Sequence, residues 1–344
     1  RRDWSEGKGI QEMKHQITAL GELLIDFTES GTSETGMKLF ERNPGGAVAN
    51  VLAAASRLGC STAFLGKVGD DMHGHFLKRT LEQAGIDTSG LVLSEAFFTT
   101  LAFVALSQTG ERTFSFARKP GADTQIRIDE LNPSLLTSTE VFHVGSLSLT
   151  DEPARSATHY AIRAAKSAGA MISYDPNYRA SLWTNQETAK ARMREVLSFV
   201  DVMKLSDEET MLLTDQSEPV KAAAELNDMG IFCVAVTLGC KGALVSVGGK
   251  GMMVDSYPPK ALDSTGAGDA FWGGFLHRML AQNKRANQLT LEEAADCANW
   301  GNAVATCCVQ KRGAIPAMPA REEVLQLMEK YPHRGDSVKY KEYK

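Results

Sequence analysis

The sequence lacks the spacings and runs that mark several large classes of protein. Its six cysteines form no Cys-x-x-Cys pair and no zinc-ligand spacing. No apolar run reaches the ~18 residues of a membrane span. No long basic run accompanies the formal net charge of -5. We therefore expect no nucleic-acid partner, no membrane association, and a cytoplasmic location in which the cysteines stay reduced.

Two common nucleotide-binding signatures are also missing. The chain contains no Walker A pattern, GxxxxGK[ST]. The dinucleotide fingerprint G-x-G-x-x-G is broken, because Phe271 stands where the third glycine is required. Both absences weigh against the usual phosphate loops. The second also weighs against a nicotinamide oxidoreductase, which an alternating α/β pattern alone would allow.

What the chain does have is a regular alternation of strand-like and helical segments. The pattern predicts strands at 17–26, 62–69, 140–146, 170–177, 200–206 and 232–239, and helices at 47–59, 74–85, 154–169, 187–199 and 218–229. Such alternation predicts an α/β fold with a Rossmann-like, mostly parallel sheet flanked by helices. These sheets bind ligands beyond the carboxyl ends of their strands, which points to Asp26, residues 176–179, Ser206 and Gly239.

Two segments interrupt the alternation. Residues 27–43 are polar and read as irregular, and residues 97–118 predict two strands around a turn at 108–111. Neither has a crossover helix, so we interpret them as a small β-lid on the main sheet; an added edge hairpin without function is the alternative. We expect 1–12 to be leader residues, 13–330 one α/β domain, and 331–344 a charged tail.

The stretch "DSTGAGDAF" (263–271) is the first candidate site. Gly266, Ala267 and Gly268 precede a mostly apolar helical run, and amides at a helix N-terminus form a site for anions. A carboxylate there, Asp269, suits a base that takes a proton from a hydroxyl attacking phosphorus. A helix cap at the end of a glycine loop is the equally weighted alternative.

A second glycine pair precedes the first predicted helix. In "NPGGAVAN" (43–50), Gly45 and Gly46 come directly before the helix and Asn50 lies one turn inside it. Asp26 ends the first predicted strand on the ligand-binding side. Carboxylate and amide groups in such places bind vicinal hydroxyls, although an ordinary helix start is the alternative.

Together the two glycine signatures resemble the PfkB family of ribokinase-like carbohydrate kinases over residues 17–330. The family pattern D-T-x-G-A-G-D appears as "DSTGAGD", with Ser264 in its second place, and the N-terminal signature appears as "NPGGAVANVLAAASRLG". The resemblance implies a ribokinase-like fold with a β-sheet lid. It also implies that Asp269 is the catalytic base and that Gly266, Ala267 and Gly268 form the anion hole.

The same resemblance assigns binding residues for ATP and Mg²⁺. "KLSDEE" resembles the N-x-x-E motif, so Glu209 would order water on Mg²⁺, with Ser206 where many members have Asn. Thr237, Gly239 and Gly242 would contact ATP, and Asn302 would lie near adenine. Asp263, Thr265 and Gly313 resemble a monovalent cation site, for which K⁺ is the candidate. The lid often mediates dimers in this family, so it is a candidate homodimer interface.

The resemblance also implies a small-molecule acceptor, for which fructose is the first candidate. "DPNYR" (175–179) resembles the fructokinase branch, and Arg179 would reach the transferring phosphate or the sugar. Arg118 is a candidate residue for binding a sugar or sugar phosphate, and Phe103 is a candidate residue of the substrate pocket in the lid. The resemblance thus implies ATP-dependent fructokinase activity. Ribose, 2-keto-3-deoxygluconate and an aminoimidazole riboside remain as alternative acceptors, and a non-catalytic sugar-binding relative is a further alternative.

Overall fold

The structure is a computed structural model that describes residues 15–106, 112–258 and 261–332. The predicted leader, the turn at 108–111 and the charged tail beyond residue 332 lie outside these ranges. Among the described residues no helix is both long and apolar enough to cross a membrane. All six cysteines are free thiols.

The strands form two sheets. In chain order they are β1 His15–Leu20, β2 Leu24–Thr32, β3 Lys38–Gly45, β4 Thr62–Gly69, β5 Ile86–Ser94, β6 Leu101–Leu106, β7 Arg112–Ala117, β8 Thr139–Gly145, β9 Met171–Asp175, β10 Val202–Ser206, β11 Cys233–Thr237, β12 Ala243–Val247 and β13 Lys250–Val254. The larger sheet has the order β13-β12-β11-β10-β9-β8-β1-β4-β5. It is parallel from β11 across to β5, and the pairs β11/β12 and β12/β13 are antiparallel. The predicted mostly parallel sheet is confirmed.

Helices cover both faces of the larger sheet. They are α1 Ala47–Arg57, α2 Met72–Gln83, α3 Pro133–Thr137, α4 Ala154–Ser167, α5 Gln186–Glu195, α6 Asp207–Thr214, α7 Pro219–Asp228, α8 Ala267–Ala281, α9 Leu291–Cys308 and α10 Arg321–Lys330. One core contains residues of α1, α2, α8, α9 and α10, and the other contains residues of α3 to α7. Trp272 and Phe275 of α8 are fully buried, and each contributes about 2–3 kcal/mol by removal from water. This packing fixes the start of α8, where the candidate base lies.

The smaller sheet is the lid, with the order β3-β2-β6-β7. Here the prediction that 27–43 is irregular is wrong, because β2 and β3 pair antiparallel from Leu24 opposite Gly45 to Thr32 opposite Lys38. The segment reads as irregular because most of its residues are polar and several of them line the cavity. The two strands predicted within 97–118 are present as β6 and β7.

The single strand predicted over 17–26 is also wrong in detail. The chain leaves the larger sheet at Leu20 and enters the lid at Leu24, so Asp26 lies within β2 rather than at the end of β1. Gly21 lies in this break and packs closely against α1, because a Cβ there would lie 2.6 Å from Cγ2 of Val48. The connection therefore brings Glu22 against the start of α1.

Candidate active site

A cavity of about 370 Å³ lies between the lid and the main sheet. Its walls come from the lid strands, the start of α1, the turn after β9, the start of α8 and the loop 312–314. Nine residues singled out from the sequence line it: Asp26, Gly46, Asn50, Arg179, Asp263, Thr265, Gly266, Asp269 and Gly313. The fold thus brings together the two glycine signatures, which are more than 200 positions apart.

Asp269 is in the first turn of α8 and is almost completely buried, with 8% of its surface exposed. Its Oδ2 accepts a hydrogen bond of 2.8 Å from Nδ2 of Asn50 in α1. It does not cap its own helix, because Gly266 occupies the N-cap position and α8 has no side-chain cap. The carboxylate is therefore held from a neighbouring helix, and this geometry favours catalysis over the capping alternative.

The surroundings of Asp269 move its pKa towards neutral pH. Burial and the nearby charge of Asp175 raise its pKa to about 6, while Lys204, the Asn50 hydrogen bond and Arg179 act in the opposite direction. A base with this pKa is mostly ionised at neutral pH and binds a proton more readily than an ordinary aspartate. Both properties suit a group that accepts the proton of an attacking hydroxyl.

The two glycines before Asp269 lie where neighbouring atoms leave little room for a side chain, and one of them also has a backbone conformation that favours glycine. Gly266 has a φ of 73°, in the left-handed region, and a Cβ there would lie 2.8 Å from Cβ of Ala314. A Cβ at Gly268 would lie 2.9 Å from Nζ of Lys204. The amide of Ala267 already donates to the carbonyl oxygen of Ser264 at 3.2 Å. The first turn of a helix otherwise leaves amides available to an anion.

Lys204 lies directly beneath this turn. Its ammonium group is buried and pairs with Oδ2 of Asp175 over 2.8 Å. Burial lowers the pKa of Lys204, but Asp175, Glu209 and Asp269 outweigh burial and raise it. A positive charge thus adjoins the positive end of the α8 dipole, an arrangement that an incoming anion would stabilise.

The first glycine signature forms the opposite wall. Gly46 has a φ of 128° and ends the lid where α1 begins. A Cβ at Gly45 would collide with Oδ2 of Asp26, so glycine allows this carboxylate to lie beside the backbone. Asp26 pairs with Asn43 across the lid strands, and both line the cavity.

Arg179 enters the cavity from the turn after β9. Its Nη1 donates to the carbonyl oxygen of Tyr178 at 3.0 Å, and the side chain is otherwise exposed. Asn177 in the same turn has a φ of 44°, and its amide donates to Oδ1 of Asp175 at 3.2 Å. The turn is thereby tied to the buried Asp175–Lys204 pair and holds Arg179 at the cavity.

The expected nucleotide residues lie at the carboxyl ends of β10 and β11, where Ser206 pairs with Thr237. Glu209 accepts hydrogen bonds from the amides of Ser206 at 2.8 Å and Tyr178 at 2.7 Å. Burial raises the pKa of Glu209, opposed by the charge of Lys204. This carboxylate therefore joins the start of α6 to the turn that carries Arg179.

Two further residues that are expected to contact ATP shape the neighbouring turn. Gly239 has a φ of 58° and Gly242 a φ of 103°, and a Cβ at Gly242 would collide with the carbonyl oxygen of Val254. Asn302 is buried in α9, where its Nδ2 donates to the carbonyl oxygens of Val254 at 3.0 Å and Asp255 at 3.2 Å. Its amide thus holds the chain after β13.

The predicted cation-site residues are joined by hydrogen bonds. Oδ1 of Asp263 accepts from the amide of Thr265 at 3.0 Å and from its hydroxyl at 2.7 Å, and Oδ2 accepts from the amide of Gly313 at 3.1 Å. Asp263 therefore fixes the loop before α8 against the loop 311–314.

Two predicted substrate residues are not brought to the cavity. Arg118 is buried and pairs with Oδ2 of Asp123 at 2.7 Å, and it also donates to Thr150 and the carbonyl oxygen of Leu147. Phe103 lies on the outer face of the lid, 40% exposed, and stacks on Phe27 with 5.4 Å between ring centroids. Its neighbour Val104 faces the cavity.

Sequence reasoning missed several residues of the site. Glu22, Thr28, Glu41, Asn43 and Arg312 line the cavity, and Lys204 lies beneath α8. A signal existed for two of them, because Glu22 and Lys204 are charged residues inside apolar runs, "TALGELLI" and "VMKLS". A buried charge needs partners, so such residues tend to mark functional positions.

Comparison with known proteins identifies the class to which this fold and site belong. The profile described as pfkB family carbohydrate kinase matches residues 14–321. The chain belongs to this family of carbohydrate kinases.

Three individual relatives within this family are named as fructokinases. A protein of Arabidopsis thaliana named probable fructokinase-3 is 40% identical over 336 residues, which cover 96% of each chain. The crystal structure of a fructokinase with bound ATP from Xylella fastidiosa superposes with a TM-score of 0.85 at 34% identity, covering 93% of this chain and 99% of the other. A fructokinase of Vibrio cholerae in a form binding fructose, ADP and calcium ion gives a TM-score of 0.82 at 32% identity, covering 91% and 99%.

Proposed function

We propose that this protein is a fructokinase, which transfers the γ-phosphoryl group of ATP to D-fructose to give ADP and fructose 6-phosphate. The observation that carries the proposal is the buried Asp269 at the start of α8, held at 2.8 Å by Asn50 in a polar cavity. Relatives named fructokinase that match nearly the whole chain support the choice of acceptor.

In the proposed reaction Asp269 removes the proton of the acceptor hydroxyl as its oxygen attacks the γ-phosphorus. The amides at the start of α8, with Lys204 beneath them and Arg179 across the cavity, stabilise the negative charge on the transferring group. The lid covers the sugar and limits access of water, which would otherwise hydrolyse ATP.

The charge of the cavity favours a neutral acceptor. Six carboxylates line it (Glu22, Asp26, Glu29, Glu41, Asp263 and Asp269), against two arginines, Arg179 and Arg312. Arg118, which the sequence suggested as a residue that binds a sugar phosphate, forms an ion pair with Asp123 instead. A phosphate on the acceptor would meet repulsion here, whereas neutral hydroxyls would find hydrogen-bond acceptors.

ATP would bring Mg²⁺ with it, and the residues present fit that arrangement. Among the described residues no cluster of three or more His, Cys, Asp or Glu side chains forms a metal cage. Mg²⁺ commonly binds through substrate phosphates, waters and one or two carboxylates, so a cage is not required. Glu209 is the carboxylate we assign to its water ligands. The metal would neutralise phosphate charge.

We extend the proposal to K⁺ and to a dimer. The loops joined by Asp263, Thr265 and Gly313 would hold K⁺ beside the start of α8, and activity in KCl above that in NaCl would test this.

The outer lid face exposes Phe40 and Phe103, whose rings meet edge to face at 6.2 Å between centroids. This apolar patch is the surface we assign to a second copy of the chain. A cytoplasmic location accords with the free thiols.

The experiment is ADP release from MgATP with fructose, ribose, 2-keto-3-deoxygluconate, an aminoimidazole riboside and fructose 1-phosphate as acceptors. Fructose should give the highest kcat/KM, and fructose 1-phosphate should give little turnover. A different preferred acceptor would reject fructose while retaining kinase activity. Sugar binding without turnover of any acceptor would favour the non-catalytic alternative.

A further inference from the structure

Glu22 is a charged residue buried in the wall of the cavity. It lies in the connection between β1 and β2, where the chain passes from the main sheet into the lid, and only 2% of its surface is exposed. It lines the same cavity as Asp26, Asn50 and Asp269. A buried carboxylate is costly unless its oxygens are paired, so the partners of each oxygen indicate its role.

One oxygen of Glu22 has a structural role. Oε1 accepts a hydrogen bond of 2.6 Å from the amide of Ala47, the first residue of α1. The N-cap residue of that helix is Gly46, which has no side chain to do this. A Cβ at Gly46 would also collide with the carbonyl oxygen of Glu22, so the two backbones pack directly against each other. Glu22 thus supplies the missing cap of α1.

The other oxygen of Glu22, Oε2, has no such structural role. Within the part of the chain that the structure describes, Oε2 of Glu22 is buried and has no hydrogen-bond partner. The same is true of Oδ1 of Asn50, whose amide nitrogen holds Asp269. Leaving a buried acceptor unpaired costs about 1–3 kcal/mol. Two such acceptors in the wall of one cavity indicate a ligand that brings hydrogen-bond donors, as the hydroxyls of a sugar do.

The electrostatics agree with a carboxylate that lacks one hydrogen-bond partner. Burial raises the pKa of Glu22 to about 7, although the nearby backbone amides of Glu22 and Ala47 act to lower it. A hydroxyl donating to Oε2 would stabilise the ionised carboxylate. A phosphate near the same oxygen would be repelled.

We propose that Glu22 is a specificity-determining residue for the acceptor, whose Oε2 accepts a hydrogen bond from one hydroxyl of the bound neutral sugar while Oε1 holds the start of α1. The proposal rests on the proposed function in that it takes a neutral sugar as the acceptor.

The substitution Glu22→Gln separates the two roles of the side chain. Its carbonyl oxygen can still accept from Ala47, and this bond places the amide NH₂ group where Oε2 lies. The NH₂ group of the introduced glutamine and the sugar hydroxyl are then both hydrogen-bond donors, so the bond between them is lost. We expect the Kd of fructose, measured by calorimetry without ATP, to rise about 10- to 100-fold, as for loss of a hydrogen bond to a charged group. The KM for fructose should rise in parallel, with kcat changed less than about threefold.

Monodeoxy analogues of fructose identify the hydroxyl. One analogue should bind the wild-type protein about tenfold or more weaker than fructose, and should lose no such factor in Glu22→Gln, because the shared hydrogen bond is already gone. Glu187→Gln removes an exposed carboxylate from α5 and serves as the matched control. Thermal melting without sugar shows whether each variant retains its fold.

Wild-type affinity for fructose in Glu22→Gln, or equal losses for every analogue in both proteins, would overturn the proposal. Failure of the proposed function looks different, because wild type would then bind and phosphorylate another neutral sugar in preference to fructose. The same calorimetric comparison with that sugar would test Glu22. If wild type bound no neutral sugar in the panel, both proposals would fall.

Discussion

Asn50 and Asp269 lie 219 positions apart, and a hydrogen bond of 2.8 Å joins Nδ2 of the first to Oδ2 of the second. The bond connects α1, which follows the lid, to α8, which follows the glycine turn proposed to bind an anion. Because Nδ2 donates, it stabilises the ionised form of Asp269 and lowers its pKa. The two signatures of the sequence therefore act on one carboxylate.

The pH dependence of activity follows from this bond. With the pKa of Asp269 raised to about 6, kcat/KM should fall about tenfold for each pH unit below 6, because the protonated acid cannot act as a base. Asn50→Leu removes a hydrogen bond that favours ionisation, so the acid limb should move to higher pH. Kinetics from pH 4.5 to 9 would check this. An acid limb that stays at the wild-type pH in Asn50→Leu would contradict the assignment of Asp269.

The same carboxylate makes stability depend on pH. The folded pKa of Asp269 is about 6, above its ordinary value of 3.8, so the folded protein binds more protons than the unfolded chain between these values. The free energy of unfolding should fall as pH rises from about 4 to 6. The loss from this group amounts to about 3 kcal/mol, at about 1.4 kcal/mol for each pH unit.

Asp269→Asn removes the titrating group and should flatten that dependence. The variant should be more stable than wild type at pH 8 and close to it at pH 4. Urea denaturation at both pH values measures the difference. Equal stability differences at the two pH values would show that burial of this carboxylate does not destabilise the folded protein.

Gly268→Ala tests the position of Lys204. In a helix this change ordinarily stabilises by up to about 1 kcal/mol. Here the new methyl group would lie 2.9 Å from Nζ of Lys204 and push the flexible ammonium away from Asp175. We expect a folded protein with a melting temperature near that of wild type and a kcat about tenfold lower. An unchanged kcat would show that the ammonium is not needed at that place.

The outer face of the lid tests the dimer. Replacing Phe40 and Phe103 together by Ser removes the exposed rings but leaves Val104 and Phe116, which line the cavity, intact. Sedimentation equilibrium should give a dimer for wild type and a monomer for the variant. A monomeric wild type, or a variant that still dimerises, would reject this surface as the interface.

Local sequence signals located much of the site. The glycine turn before an apolar helix gave Asp269, and the alternation of strands and helices gave the parallel sheet. Residues 27–43 were assigned to the lid, but the strands β2 and β3 were not predicted there, because most residues of this segment are polar and give no regular apolar alternation. Arg118 was expected to contact the substrate because the sequence does not show that its guanidinium pairs with Asp123 in the folded chain.

Other features depend on contacts between distant segments. The pairing of Asn50 with Asp269 has no local signal in the sequence. Glu22 falls within the single strand predicted over 17–26, because the sequence has no local signal for the end of β1 at Leu20 or for the close packing of Gly21 against Val48. Long-range packing therefore decides which of the charged residues reach the cavity.

The central claim is that Asp269 takes the proton of the acceptor hydroxyl. The most direct test is the kcat of Asp269→Asn for fructose with saturating MgATP, beside Asp129→Asn, which removes an exposed carboxylate paired with Arg127. We predict a fall of about 10²- to 10⁴-fold for Asp269→Asn, with nearly unchanged fructose affinity, and wild-type rates for Asp129→Asn. A kcat within a few-fold of wild type in Asp269→Asn would contradict the account.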